Sequence, residues 1–369
     1  MSTLSDTYDT VVVGAGLTGA LVAHHLAEAS QSVAVLEAKR APGSPATRGP
    51  GVAFLGTPEP YATLQTRLGA DQGRQVWKLT RRNLDMLTTI LEKVHQQATP
   101  VGSLRITDDA TEAALLQESS ILLRQDLYAA EMDDDVGFAN EVGKTNLTDY
   151  GYQAGLRTAE DLTFEPEALT AALLDHANIT VEYETEVQAI RQAQRPADAA
   201  MLSIWARKHY LHAKNVILAS GAHAARLCPS LAGIISPLSM QAIDLHTEAA
   251  LPTPLIINRG QVVVEAHAEH WRMIGWSSAG KDAMPIIADV AQQLCPDAPV
   301  VGRHSWWAAQ SADELPVVGP APDMPNVYVV NGLGPFGWSW VCVAVDRLIG
   351  ALLHDEKIGL LALDRFSED

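Results

Sequence analysis

A chain of 369 residues is longer than one hydrophobic core usually organises, so two tandem or intertwined domains are expected. A formal charge of -18 argues against a nucleic-acid or anionic-membrane partner. It is compatible with a cationic small substrate, although acidity also serves solubility. Three cysteines, Cys228, Cys295 and Cys342, are odd in number, far apart and without CxxC spacing, which argues against a disulfide framework or metal finger and fits a reduced compartment.

The N-terminal MSTLSDTYDT carries neither a basic segment nor an apolar h-region, so a cytoplasmic protein is expected. No apolar run reaches the roughly 20 residues that cross a bilayer, so no transmembrane segment is expected. From Thr10 to Val13 the chain is β-branched and apolar, as a buried parallel strand should be. Gly14-Ala15-Gly16-Leu17-Thr18-Gly19 follows, and then a predicted helix whose Ala20, Ala23 and Ala27 can press closely on a sheet. A second strand, Val33 to Leu36, ends at Glu37.

This order has a physical purpose. Gly14 permits a tight turn, Gly16 lets backbone approach a pyrophosphate, and Gly19 lets helix and strand pack closely. The helix N-terminus offers unpaired N–H groups and a positive dipole end to phosphate. Glu37 stands about 20 residues on, where an acid bonds ribose hydroxyls. A dinucleotide site is therefore expected. The acid disfavours NADP and leaves NAD and FAD both open. The alternative is a glycine-rich turn inside an ordinary βα unit.

Further along, residues 74 to 97 predict a helix from the spacing of Val76, Leu79, Leu84, Leu87, Ile90, Leu91 and Val94. A second helix is expected near residues 109 to 118. Asp133-Asp134-Asp135 reads as a solvated turn. Residues 255 to 276 read as a strand, a turn at Glu269-His270 and a returning strand. His267 and His270 have HxxH spacing without a carboxylate set, so no metal is expected. Val341, Val345, Leu348, Ile349 and Leu352 form one buried stripe of a last helix. No internal repeat is present.

Several later motifs fall in a telling order. They are Thr47-Arg48-Gly49-Pro50-Gly51, Phe164-Glu165-Pro166-Glu167-Ala168-Leu169, Thr185-Glu186-Val187, Val216-Ile217-Leu218-Ala219-Ser220-Gly221, Leu315-Pro316-Val317-Val318-Gly319-Pro320 and NGLGPFGWSW at 331 to 340. Over residues 8 to 353 the chain resembles the FAD-dependent D-amino-acid oxidase superfamily, whose members include glycine, sarcosine and γ-glutamylputrescine oxidases. The resemblance implies an α/β and α+β protein: a Rossmann-like FAD-binding domain with an interleaved substrate domain on a mixed or antiparallel sheet. It would place residues 1–75, 150–225 and 310–369 in the first domain, and 76–149 and 226–309 in the second.

The same resemblance implies non-covalent FAD. Its contacts would be Gly14, Ala15, Gly16, Leu17, Thr18 and Gly19 at the pyrophosphate, and Glu37 and Ala38 at the ribose. Lys39, Arg40 and Arg48 would lie near phosphate or flavin, with a solvated basic turn as the alternative for Lys39-Arg40. Thr47, Gly49 and Gly51 would pass the flavin, and Val187 would meet the adenine. Ala219, Ser220 and Gly221 would lie beside the cofactor. At the pyrimidine edge of the flavin would stand Gly332, Leu333, Gly334, Pro335, Phe336, Gly337 and Trp338, with glycine N–H groups and a helix beginning near Trp338 stabilising the anionic reduced ring.

Two departures from the family matter. Pro335-Phe336-Gly337 replaces the commoner Gly-His-Gly. No arginine follows Trp306-Trp307 to clamp a substrate carboxylate, although Arg259 or Arg303 could take that place from elsewhere. Trp306, Trp307, His304 and Gln310 are the expected substrate-pocket residues, and clustered tryptophans suit a cation or an apolar amine. The resemblance thus implies oxidation of an amine or amino acid at its C–N bond, by hydride transfer to flavin N5, with oxygen or a quinone as acceptor. A homo-oligomer is left open. Three rivals stand: a flavin-dependent 2-hydroxy-acid dehydrogenase of the same fold, an NAD-dependent dehydrogenase, and a non-catalytic flavin-binding subunit.

Overall fold

The apolar run at residues 10 to 13 lies in the strand Thr7–Val13, and Val33–Leu36 is a strand whose four residues are all buried. Strands shielded on both faces favour parallel pairing, and these two pair in parallel. The computed structural model describes residues 5–41, 51–136, 145–193, 201–207, 209–267 and 270–367.

His209–Leu218 pairs in parallel with the other edge of Thr7–Val13, and Ile179–Glu182 extends the sheet beyond Val33–Leu36. The strand His209–Leu218 changes partners along its length. Its first half pairs antiparallel with Leu202–Ala206, while Val216, Ile217 and Leu218 pair in parallel with Val327–Asn331. Val187–Gln192 and Val317–Pro320 complete an eight-stranded mixed sheet. The helices Leu17–Glu28, Pro166–Leu174 and Val341–His354 share one core with it. Ala20, Ala23 and Ala27 are all buried there, as their size allows.

A second eight-stranded sheet runs in the order Val300–Ser311, Ile235–His246, His270–Ser278, Val262–His267, Leu255–Ile257, Ser103–Thr107, Ala154–Thr158 and Ala130–Met132. Only Leu255–Ile257 and Ser103–Thr107 pair in parallel within it. The helix Met284–Leu294 packs on this sheet. The two sheets interleave along the chain. They meet where Ala309 O accepts a hydrogen bond from Gly334 N at 2.8 Å and Gln310 bridges Leu333. A small apolar cluster of Val52, Phe54, Ile256, Val263 and Phe336 closes the same junction.

Some boundaries differ from the sequence expectation for identifiable reasons. The helix expected at 74 to 97 is Ala70–Lys93. Gly69, at φ 85°, starts it four residues earlier, and the chain turns left-handed at His95, at φ 59°. The next helix continues to Gln125, because the buried Ser119 and Ser120 hydroxyls donate to the Leu115 and Gln117 carbonyls and so satisfy themselves inside it. Residues 255 to 276 form three strands, with an extra reversal at Asn258-Arg259-Gly260 in positive φ. Glu269 lies outside the described residues, and His270 opens the returning strand. Asp133 is more than a solvated turn residue, since it pairs with Arg157. A single-turn 3-10 helix at Gly337–Ser339 precedes the last α-helix, which begins at Val341.

Candidate active site

The first glycine loop is shaped by steric necessity. Gly14 sits at φ 108°, and a Cβ there would stand 2.7 Å from Ala219 O. A Cβ on Gly19 would stand 1.9 Å from Gly14 O, so the helix could not approach the strand. Gly16 is different: nothing lies within 4 Å of where its Cβ would be. Its open side faces a cleft of about 670 Å³ lined also by Gly14, Leu17 and Thr18. Gly16 caps the helix Leu17–Glu28, and among the described residues no side chain caps that helix end, so its first-turn N–H groups stay available to an anion. Ala15 and Gly19 do not line the cleft. The Ala15 N–H donates to Glu37 Oε2 at 2.9 Å, and Gly19 serves the packing just described.

Glu37, Ala38 and Lys39 line the cleft at the end of the second strand. The Glu37 carboxylate accepts the Ala15 N–H through one oxygen and the Lys39 N–H through the other, each at 2.9 Å. Arg40 turns away, and its exposed guanidinium pairs with Glu184 at 3.0 Å. Val187 and the Ala219-Ser220-Gly221 turn form the opposite wall. The Ser220 Oγ is buried there without a hydrogen-bond partner. An open glycine, an uncapped helix end, an orphaned hydroxyl and a carboxylate in one cleft fit a dinucleotide cofactor. Thr47, Arg48 and Gly49 lie outside the described residues.

The cleft continues past Thr18, Ala219, Gly221, Trp306, Trp307 and Trp338 into a chamber of about 220 Å³. Gly51, Leu333, Gly334, Pro335, Phe336 and Gly337 line it. Gly332 does not, since a Cβ there would press on Ser311 instead. The expected use of glycine N–H groups at this end is corrected in two places. Gly332 N donates to Asn331 Oδ1 at 2.8 Å, and Gly334 N donates to Ala309 O at 2.8 Å. The last helix is also capped from within. The buried Asn83 Oδ1 accepts from Cys342 N at 2.8 Å and Val343 N at 3.3 Å, while Asn83 Nδ2 donates to Trp338 O at 2.8 Å. Phe336, which departs from the family pattern, is buried with its ring 4.6 Å from Phe54 and 6.1 Å from Trp276.

The far wall of the chamber is the second sheet. Met240 lies opposite both Trp276 and Trp306 in register. Four of the clustered tryptophans, Trp276, Trp306, Trp307 and Trp338, line the chamber, and Trp271 and Trp340 are core. Two expected pocket residues do not line it. Gln310 pairs across the junction with Leu333. His304 lies further along its strand, with Nε2 2.7 Å from Asp244 Oδ2. Arg272 also donates to Asp244, at 2.8 and 3.1 Å. Burial works against the Asp244 carboxylate, but the hydrogen bonds from Arg272 and His304 outweigh it and hold its pKa at about 2. Burial pushes the neighbouring His270 below its ordinary value.

Among the described residues no substitute clamp lines the chamber. Arg259 is exposed near Asp109, and Arg303 is exposed beside Met284. Among the described residues lining the chamber, Glu265 is the one charged side chain, and it is 8% exposed. It sits in the strand Val-Val-Val-Glu-Ala-His, where a lone acid amid buried apolar residues was the signal that sequence reading passed over. Among the described residues no group of three or more metal-ligating side chains is present, and no helix is long and apolar enough to cross a membrane.

The chain is 26% identical over 345 residues to a tRNA 5-methylaminomethyl-2-thiouridine biosynthesis bifunctional protein MnmC of Pseudomonas entomophila, covering 86% of this chain and 48% of that protein. The corresponding Pseudomonas putida protein is 27% identical over 351 residues, with 88% and 50% covered. The chain thus spans about half the length of these curated relatives. Its fold matches glycine oxidase from Geobacillus kaustophilus with a TM-score of 0.73, at 19% identity over 98% of this chain and 99% of that one. L-proline dehydrogenase from P. horikoshii matches with a TM-score of 0.76, at 15% identity over 98% and 96%. Iminodiacetate oxidase from Chelativorans sp. BNC1 matches with a TM-score of 0.70, at 19% identity over 93% and 95%. The family described as FAD dependent oxidoreductase (DAO) matches residues 9–347, and the chain, an enzyme that uses FAD, belongs to it.

Proposed function

We propose that this enzyme oxidises the C–N bond of a small amine. The observation that carries the reading is the chamber lining: four tryptophans and one carboxylate, with no arginine, lysine or histidine among the described residues. A 2-hydroxy acid or a simple amino acid needs a cationic partner for its carboxylate, and burying that group unpaired costs several kcal/mol by order of magnitude. An amine needs none. The names of the structural neighbours, glycine oxidase, L-proline dehydrogenase and iminodiacetate oxidase, support nitrogen as the site of oxidation.

We assign Gly16, Thr18 and the uncapped helix end to the pyrophosphate, Glu37 to a ribose, and the Val187 backbone to the adenine. Ser220 Oγ and the Leu333–Gly337 loop would meet the flavin end. Bound FAD supplies the two-electron acceptor for a C–H bond, the hard chemistry of the reaction. The chain's own residues prepare the substrate. Indole and aliphatic walls exclude water and desolvate the amine, which favours its neutral form and frees the lone pair. Trp306 and Trp338, at the passage between cleft and chamber, hold the reacting carbon against the cofactor. Loss of hydride from that carbon of the neutral amine leaves an iminium ion, which gives up a proton to water as the imine and is then hydrolysed.

The tRNA named in the curated relatives is a less suitable substrate for this chain. A charge of -18 repels a phosphate backbone. The test is an anaerobic screen of amines, amino acids and 2-hydroxy acids, following flavin absorbance near roughly 450 nm, the usual flavin band. Bleaching by amines supports the reading. Bleaching by hydroxy acids alone overturns it, and no bleaching by any member points to a non-catalytic subunit. Reoxidation with air or with a quinone then identifies the acceptor.

A further inference from the structure

The chamber has two chemically opposed ends. At the cofactor end, Trp306, Trp307, Trp338 and Ala219 surround the passage, an environment that penalises a charged nitrogen. At the other end stands Glu265, which also borders a second cavity of about 250 Å³ that shares Val52 with the chamber. The charged residues lining that second cavity are Glu265 and the exposed Glu165. From the second cavity to the cofactor end the lining therefore carries negative charge first and apolar walls last.

Among the described residues Glu265 has no hydrogen-bonded cation of its own. Arg272 lies opposite it in register but holds Asp244 with two hydrogen bonds. His267 Nε2 stands 3.6 Å from Glu265 Oε2, longer than a hydrogen bond. No described side chain hydrogen-bonds the Glu265 carboxylate, which leaves it open to a cationic group from outside. The Glu265–Arg272 rung lies four residues along the sheet from Trp276, about 13 Å at the usual strand rise.

Resting on the reading of C–N oxidation, we propose that the substrate is a diamine: one nitrogen is desolvated and neutral at the tryptophan end, and a second, protonated nitrogen binds Glu265. One apolar monoamine would leave Glu265 uncompensated, and one ammonium at Glu265 would leave nothing to oxidise beside the cofactor. Two nitrogens on one aliphatic chain satisfy both ends. Glu265 is then a specificity residue that acts on binding rather than on hydride loss.

The experiment uses the FAD-loaded enzyme with three probes of matched length: octylamine, 1,8-diaminooctane and 8-aminooctanoate. Anaerobic flavin bleaching gives their kcat/KM, and perturbation of the flavin spectrum gives their Kd. The diamine is expected to exceed the monoamine by about 10- to 100-fold, as a charge-assisted hydrogen bond allows, with the aminocarboxylate last. E265Q should erase that preference through KM, and E265D should retain part of it. E165Q should lower it less. Flavin content and melting temperature report whether each variant folds; should E265Q not fold, the ranking of the three probes on the parent enzyme decides. Equal use of octylamine and the diamine overturns the proposal and leaves amine oxidation standing. A flavin that no amine bleaches or perturbs, but that a 2-hydroxy acid reduces, overturns both.

Discussion

The two glycine loops look alike as sequence and work differently as structure. In the loop at residues 14 to 19, two glycines are consumed by close packing, and the third, Gly16, opens onto the cleft with an uncapped helix behind it. In the loop at residues 332 to 337, the N–H groups of Gly332 and Gly334 bond to the protein itself, and Asn83 caps the helix that follows. The first loop presents backbone to a ligand. The second shapes a wall. A glycine motif therefore says that space or a backbone conformation is needed, and only the geometry says whether a ligand uses it.

Four measurements would break or sharpen that contrast. The largest effect belongs to Gly19→Ala. Its methyl would meet the Gly14 carbonyl at 1.9 Å, and backbone on both sides leaves no room to yield. A loss of about 3 kcal/mol or more is expected, with colourless protein on purification. A yellow protein that melts like the parent would show that the helix can retreat.

Next comes Asn83→Ala, which leaves Trp338 O and the Cys342 N–H without their buried partner. Loss of about 2–3 kcal/mol in urea unfolding is expected, with flavin content maintained. If stability holds and FAD is lost, the last helix binds the cofactor directly and the contrast between the loops fails.

Asp244 offers a comparison outside both loops. Its pKa falls from 3.8 to about 2 in the folded chain, so the carboxylate stabilises the fold above pH 4, and that contribution disappears as pH falls towards 2. The difference corresponds to about 2 kcal/mol. Asp244→Asn should flatten the acid limb of a stability-against-pH curve, and an unchanged limb would place acid sensitivity elsewhere.

The smallest stability effect is expected for Gly16→Ala. No atom lies within 4 Å of the added methyl, so the melting temperature of the cofactor-free protein should barely move. FAD affinity should still fall, by about tenfold, since a methyl would separate backbone from phosphate. Gly16→Ala and Gly19→Ala differ by three positions and should separate binding from folding.

Much of the cofactor half was legible because its signals are local. The strand Val33–Leu36 and the loop before it are written in consecutive residues, and the last helix follows its apolar stripe. What escaped depends on distant pairing. Asn83 sits mid-helix, where a polar residue reads as solvent-facing, and its partners are 255 to 260 positions away. Glu265 is a lone acid in an apolar strand, and which face it occupies follows from register with Arg272. His304 lies in the same tryptophan-bearing segment as the pocket residues Trp306 and Trp307. The sheet then carries it past the chamber to Asp244.

The strand His209–Leu218 has one further consequence. It touches Thr7–Val13 on one edge and, at Val216, Ile217 and Leu218, Val327–Asn331 on the other, so the two glycine loops are aligned by a single segment from mid-chain. During translation, the first loop emerges long before the strand that braces it, and the second arrives more than a hundred residues after that. A nascent chain on the ribosome must therefore hold a half-built sheet edge unpaired until Val327–Asn331 has emerged. That interval, rather than any weakness of the finished protein, is where aggregation threatens and where chaperones or early flavin supply would matter most.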